Sequence, residues 1–161
     1  MLARGDRVTG TVRDESAARA FTEQAPDRAR AVLLDVIDRD AVTRVVAEAE
    51  AATGAVDVLV SNAGYSLEGT VEATDFADIE AQFATHVFAS IALIKAVLPG
   101  MRGRRSGHIL TLGSLAAHTP NGGTAVYAAA KAAIETLSAG LAREVEPFGI
   151  RVTALVPGAF R

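Results

Sequence analysis

At 161 residues, half of them hydrophobic and only 22% charged, the chain has the size and balance of one packed domain and is too apolar to stay disordered. A net charge of −3 with no dense Lys/Arg tract excludes an electrostatic footprint for nucleic acid or an anionic membrane. Cysteine is absent, which excludes disulfides, thiolate metal sites and cysteine nucleophiles and fits a reducing, cytoplasmic compartment.

The chain opens on MLARGDRVTG, where Arg4, Asp6 and Arg7 stand in place of the apolar core that a signal peptide needs. RVTGTV (7–12) follows as the first predicted strand, and RAVLLDV (30–36) as the second. A helix is predicted over 38–54, with Asp38 as N-cap, Val42, Val45, Val46 and Ala49 on one stripe, and Gly54 as the stop signal. VDVLVSNAG (56–64) is the third strand. The next helix, 74–101, is apolar nearly all round and calls for a large core or a partner subunit. Its longest apolar stretch, 87–99, is broken by Lys95 and is shorter than the ~20 residues that span a bilayer, so no membrane is expected. MRGRRSG (101–107) reads as a solvated basic turn. HILTLGS (108–114), a helix over 124–149 and IRVTALVPG (150–158) complete the chain.

The predicted strands are short, rich in β-branched residues and bounded by Gly, Asp or Pro, as strands buried on both faces are. Alternation with helices predicts an α/β fold with a parallel sheet, whose ligands bind at the carboxyl ends of the strands. Asp35, Asn62, Ser114 and Pro157-Gly158 each fall where a predicted strand runs out. No repeat or linker interrupts the pattern, so residues 1–161 are expected to form a single domain. His86, His108 and His118 lack the spacing of a metal pair, and no metal is expected.

GSLAAHTPNGGTAVYAAAK, residues 113–131, gathers a serine, a tyrosine and a lysine in a chain with only two Tyr and two Lys. Tyr127 and Lys131 are four apart, so on a helix they share one face. A free phenol titrates near ~10, but a neighbouring ammonium favours the phenolate, which makes acid/base work feasible for Tyr127. Ser114, at a strand end upstream, is placed to donate to a carbonyl oxygen that gains charge. Together the three suit proton transfer to or from a carbonyl or alcohol oxygen.

With NAG at 62–64, the spacing from Ser114 to Tyr127, YAAAK and PG at 157–158, the chain resembles the short-chain dehydrogenases/reductases over almost its whole length. That resemblance implies a Rossmann-like doubly wound parallel sheet with helices on both faces. It also implies hydride transfer between a nicotinamide cofactor and a small carbonyl or alcohol substrate. Tyr127 would be the acid/base, Lys131 would stabilise its phenolate and bind the nicotinamide ribose, and Ser114 would orient the substrate oxygen. Asp35 would lie beside the adenine, Asn62, Ala63 and Gly64 would line the adenosine side, and Pro157 and Gly158 would flank the nicotinamide. At the end of the first strand Val12 stands where an acidic residue would hold the ribose of NAD, and Arg13 follows, so NADP(H) is favoured over NAD(H). Arg13 as a plain surface arginine beside Asp14 is the other reading. The long apolar helices resemble the family's dimer interface and imply a homodimer or homotetramer.

Three departures stand out. His86 takes the place of the family's usual asparagine, either hydrogen-bonding a water or sitting as a satisfied core histidine. MLARGDRV resembles the end of the family's first helix, so the first strand and the Gly-rich loop are expected to be missing from this partial domain, leaving RVTGTV and VDVLVSN without the neighbour both would bond to. The segments that would close over substrate are likewise expected beyond PGAFR. Two rivals follow. A serine hydrolase built on Ser114 and His118 lacks the second glycine of a nucleophile elbow, while a non-catalytic fragment or dimerising module would use the long helices alone.

Overall fold

Among the described residues, five short strands form and every pairing between them is parallel. The computed structural model describes residues 1–158; the last three of the expected 1–161 domain lie outside it. The strands fall into two ladders rather than one, of order β1-β2 and β3-β4-β5, as expected if the strand that both halves would bond to is missing. The chain divides into two compact units, residues 1–55 and 56–161.

In the first unit, β1 (Val8–Val12) pairs with β2 (Ala29–Leu33) in the register Val8↔Ala29 to Val12↔Leu33. Between them lies α1 (Glu15–Glu23), a helix absent from the elements expected above. It is short and mostly polar, and its start is fixed by Asp14, whose side chain accepts the Ala17 N–H at 2.8 Å. That bond holds the Asp14 carboxyl below its ordinary value. Phe21 of α1 rests on Gly10, where an added Cβ would come within 2.9 Å of the ring. Asp38 caps α2 (Arg39–Thr53) by accepting from Asp40 and Ala41 N–H, and Gly54 ends it at φ 84. The predicted stripe is buried, with Ala41 added.

The second unit carries β3 (Val58–Ser61), β4 (Gly107–Leu112) and β5 (Ile150–Leu155). The predicted helix over 74–101 is three pieces in one run. α3 (Phe76–Phe83) leads into a π turn at Ala84–Phe88, and α4 (Ala89–Arg104) follows. The last residues of α4 absorb half of the expected basic turn, and Arg105 ends the helix in the left-handed region at φ 54. α5 (Ala125–Val145) completes the unit.

Ser61 and Thr111 are cross-strand partners and so share a sheet face. Ser61 Oγ lies 2.8 Å from Ser90 of α4, and Thr111 Oγ1 lies 2.8 Å from Ser138 of α5. Both helices therefore pack on that one face. Fully buried Val97, Met101, Ile109 and Ile134 fill the layer between helices and sheet, each contributing about 1.5–3 kcal/mol of apolar burial. The run Phe76–Arg104 is long and apolar enough to cross a bilayer by length and composition alone. Its buried side, however, is committed to the sheet through Ser90 and Val97, while Phe76 and Phe88 are exposed.

Candidate active site

β4 ends at Leu112; Gly113 still gives its N–H to Leu155 O at 2.7 Å, and the chain then leaves the sheet. Ser114 caps a short 3-10 turn, Leu115–Ala117: its Oγ accepts the Ala116 N–H at 3.2 Å. The hydroxyl proton remains free to be donated elsewhere.

α5 begins at Ala125 and presents Tyr127 and Lys131 one turn apart. Lys131 is only 6% exposed, and its ammonium donates to Leu112 O at 2.8 Å. Nζ lies 5.8 Å from the centre of the Tyr127 ring. Burial pushes the Lys131 ammonium below its ordinary value, and the carboxylate of Glu135, one turn further along, opposes that shift.

His86 sits in the π turn, 3% exposed, its Nε2 2.8 Å from Tyr65 O and 3.2 Å from Tyr65 N. A single ring nitrogen serves one of these, and the shorter contact is that of Nε2–H donating to the carbonyl. Gln82 Nε2 donates to the same carbonyl at 3.2 Å. The imidazole also meets the Tyr127 ring edge-on, with centres 5.7 Å apart. Desolvation lowers its pKa, the Tyr65 carbonyl opposes this, and the charge of Lys131 adds to the lowering. Gly64 is required by this contact, since a Cβ there would stand 2.2 Å from the His86 ring. His86 is buried and bonded through Nε2 to the loop that carries Asn62, Ala63 and Gly64.

Within the second unit, then, α5 carries Tyr127 and Lys131 and is bonded through Lys131 to Leu112, two residues before Ser114, and His86 ties the 62–65 loop to Tyr127. Pro157 and Gly158 follow β5 and are exposed. Arg13 and Asp35 belong to the first unit, where each is exposed just past a strand end; Asp35 accepts the Ile37 N–H at 3.2 Å. A shallow groove lined by Arg7, Arg28 and Arg30 among others lies at the starting ends of β1 and β2, a strand length from Arg13 and Asp35, so chemistry rather than hollow size locates the candidate residues. No metal-binding group of His, Asp and Glu occurs among the described residues.

The sequence reading missed Glu135, and weighed His118 only as a metal ligand or a hydrolase base. Glu135 accepts the Ser114 N–H at 2.9 Å with one oxygen and pairs with His118 Nε2 at 2.8 Å with the other. The series 127, 131, 135 carried the signal, being three successive turns of one helix face. His118 thus faces Glu135, and no hydrogen bond joins it to Ser114 among the described residues, which removes the geometry that a hydrolase would need.

The family model described as short chain dehydrogenase matches residues 1–161. The chain is 36% identical over 161 residues to oxidoreductase BOA17 of Botryotinia fuckeliana, covering 99% of this chain and 59% of that protein. It is 35% identical over 158 residues to the 3-oxoacyl-acyl-carrier-protein reductase FabG of Escherichia coli, covering 98% of this chain and 65% of the relative. It therefore spans about 60% of the length of these curated relatives. Among solved structures it resembles a short-chain dehydrogenase from Streptomyces avermitilis, with TM-score 0.95, 44% identity, and coverage of 99% of this chain and 59% of that one. It also resembles a metagenomic short-chain oxidoreductase in complex with NADP, with TM-score 0.91, 31% identity, and coverage of 99% and 74%. The expected Rossmann-like parallel-sheet class stands on these likenesses.

Proposed function

Because this chain belongs to the short-chain dehydrogenase family, we propose that the protein it represents is an NADP(H)-dependent oxidoreductase that interconverts a carbonyl and an alcohol, with Tyr127 as acid/base. The observation that carries the reading is the stacking of Tyr127 and Lys131 on successive turns of α5, with Lys131 bonded to the strand end that leads into Ser114.

The donor set fits a nicotinamide nucleotide. Lys131 spends one N–H on Leu112 O and keeps two for ribose hydroxyls. Asn62, Ala63 and Gly64 offer an exposed stretch of backbone for the adenosine side, and Pro157 and Gly158 one for the nicotinamide. Arg13 would meet a 2′-phosphate and Asp35 the adenine, both from exposed positions. The bound nicotinamide would supply the hydride.

In the reducing direction, Ser114 donates its free hydroxyl proton as a hydrogen bond to the substrate oxygen. Tyr127 then gives up its phenolic proton to that oxygen as the carbonyl carbon accepts the hydride, so an alcohol forms and the phenolate is left. The Lys131 charge stabilises that phenolate until a proton from solvent restores it. One relative is named a 3-oxoacyl-acyl-carrier-protein reductase, which makes a 3-oxoacyl thioester the first carbonyl to offer. A cytoplasmic location, one nucleotide-binding domain over residues 1–161, and pairing of copies into a homodimer or homotetramer belong to the same proposal, the last supported by the exposed rings of Phe76 and Phe88.

The test is Tyr127→Phe in the full-length protein, assayed with NADPH and acetoacetyl-coenzyme A. Turnover should fall by about 10²–10⁴-fold, the weight of general acid catalysis, while NADPH binding, followed by nicotinamide fluorescence, is retained. Turnover equal to wild type would remove Tyr127 from the chemistry.

A further inference from the structure

Glu135 has no part in the chemistry described above, yet its carboxylate lies against the strand end that presents Ser114. It is 14% exposed in its side chain, an uneconomical place for a carboxylate unless its oxygens are bonded. Both are. Oε1 accepts the Ser114 N–H at 2.9 Å, and Oε2 accepts from His118 Nε2 at 2.8 Å.

The first bond follows from where the sheet ends. Gly113 still donates within the ladder, to Leu155 O, so Ser114 carries the first amide that the sheet leaves without an acceptor. Glu135 supplies that acceptor from α5. The close approach also explains Gly113. This glycine is buried and is not at positive φ, so no turn requires it; an added Cβ would stand 2.3 Å from Glu135 Oε1 and 2.8 Å from Cδ. The residue before Ser114 lacks a side chain because the carboxylate occupies that space.

The second bond reaches the segment that joins Ser114 to α5. His118 ends the 3-10 turn and is 58% exposed in its side chain, so its ring is fixed mainly by Glu135. One carboxylate thereby sets the backbone of Ser114 and the course of the chain that follows it. Lys131, one turn away, is the remaining charged group it faces.

We propose that Glu135 is a positioning residue, which holds Ser114 at the end of β4 through its amide and holds the following turn through His118. The inference rests on the reading of Ser114 and Tyr127 given above. Misplacing an orienting hydroxyl by about 1 Å costs on the order of a hundredfold in turnover.

The experiment compares wild type, Glu135→Gln, Glu135→Ala and Tyr127→Phe in the full-length protein with NADPH and acetoacetyl-coenzyme A. Amide hydrogen exchange over residues 113–118 is measured on the same samples. Glutamine keeps an acceptor for Ser114 and an amide for a neutral His118, so it should hold kcat within a few-fold of wild type. Alanine should lower kcat by roughly ten- to a hundredfold, leave KM for NADPH unchanged and speed exchange at Ser114. Alanine with wild-type kcat beside an inactive Tyr127→Phe overturns the positioning role and leaves the catalytic reading intact. An active Tyr127→Phe overturns the catalytic reading instead. Should wild type itself not turn over this probe, equal Ser114 protection in wild type and Glu135→Ala overturns the inference.

Discussion

The strand ends of the first unit and the end of β4 in the second carry candidate residues in opposite styles. After β1 and β2, Arg13 and Asp35 stand exposed, and among the described residues the one side-chain hydrogen bond at either is the local turn in which Asp35 accepts the Ile37 N–H. After β4, Ser114 is gripped through its amide by Glu135, while Lys131 is buried and bonded to the preceding carbonyl. Charge at an exposed loop attracts a ligand without shaping the fold. A buried polar network shapes the fold as the condition of doing anything else. Substitutions at Arg13 and Asp35 should therefore change preference alone, whereas those around Ser114 should change stability and turnover together.

The largest effect is expected at Gly113→Ala. Its Cβ displaces the Glu135 carboxylate, so stability should fall by about 1–3 kcal/mol in urea unfolding and turnover should drop toward that of Glu135→Ala. A variant as stable and active as wild type would show that the grip on Ser114 is dispensable, and the contrast between the units would dissolve.

The pH dependence of stability is next in size. Burial holds the His86 imidazole below its ordinary value of 6.5, so the unfolded chain binds a proton that the folded chain refuses. This contribution is complete above about pH 6.5 and is lost as the pH falls below it, at no more than about 1.4 kcal/mol per pH unit for one proton. His108 is shifted in the same direction by burial and adds to the slope. Urea unfolding from pH 7 to 5 should show a steeper loss in wild type than in His86→Gln; parallel slopes would take His86 out of the buried network.

The smallest change in stability, within about 0.5 kcal/mol, is expected for Arg13→Asp. Its effect belongs to the nucleotide, with the ratio of kcat/KM for NADPH over NADH in the full-length protein falling at least tenfold. An unchanged ratio would return Arg13 to the plain surface arginine that is its other reading.

What was legible in the sequence had a local cause. The cap at Asp38, the stop at Gly54 and the 3.6-residue stripe between them are properties of neighbours in the chain, and α2 forms on those marks. Tyr127 and Lys131 were legible because one helix face fixes their relation wherever the helix packs. α1 was hidden because its apolar stripe, Ala17, Ala20 and Phe21, is short, mostly alanine and not fully buried. Glu135 was hidden because its partners, Ser114 and His118, are reached across a turn that only the packing of α5 on β4 closes. The π turn was hidden for a simpler reason: 74–101 reads as one apolar helix whether or not a turn within it is widened.

A helix with a π turn has one residue more than its path requires. The bond from Ala89 N–H to Ala84 O takes up the surplus, so the flanks keep the faces of an uninterrupted helix, and Gln82 before it and Ser90 after it are both buried. Removing one residue from 84–88 would restore ordinary α-helix there and leave the flanks seated, while erasing the offset that turns His86 toward Tyr65. Chain length at this point is thus neutral for the scaffold and decisive for the loop after β3: the same helix can be built without the surplus residue, but not the same grip on Gly64 and Tyr65.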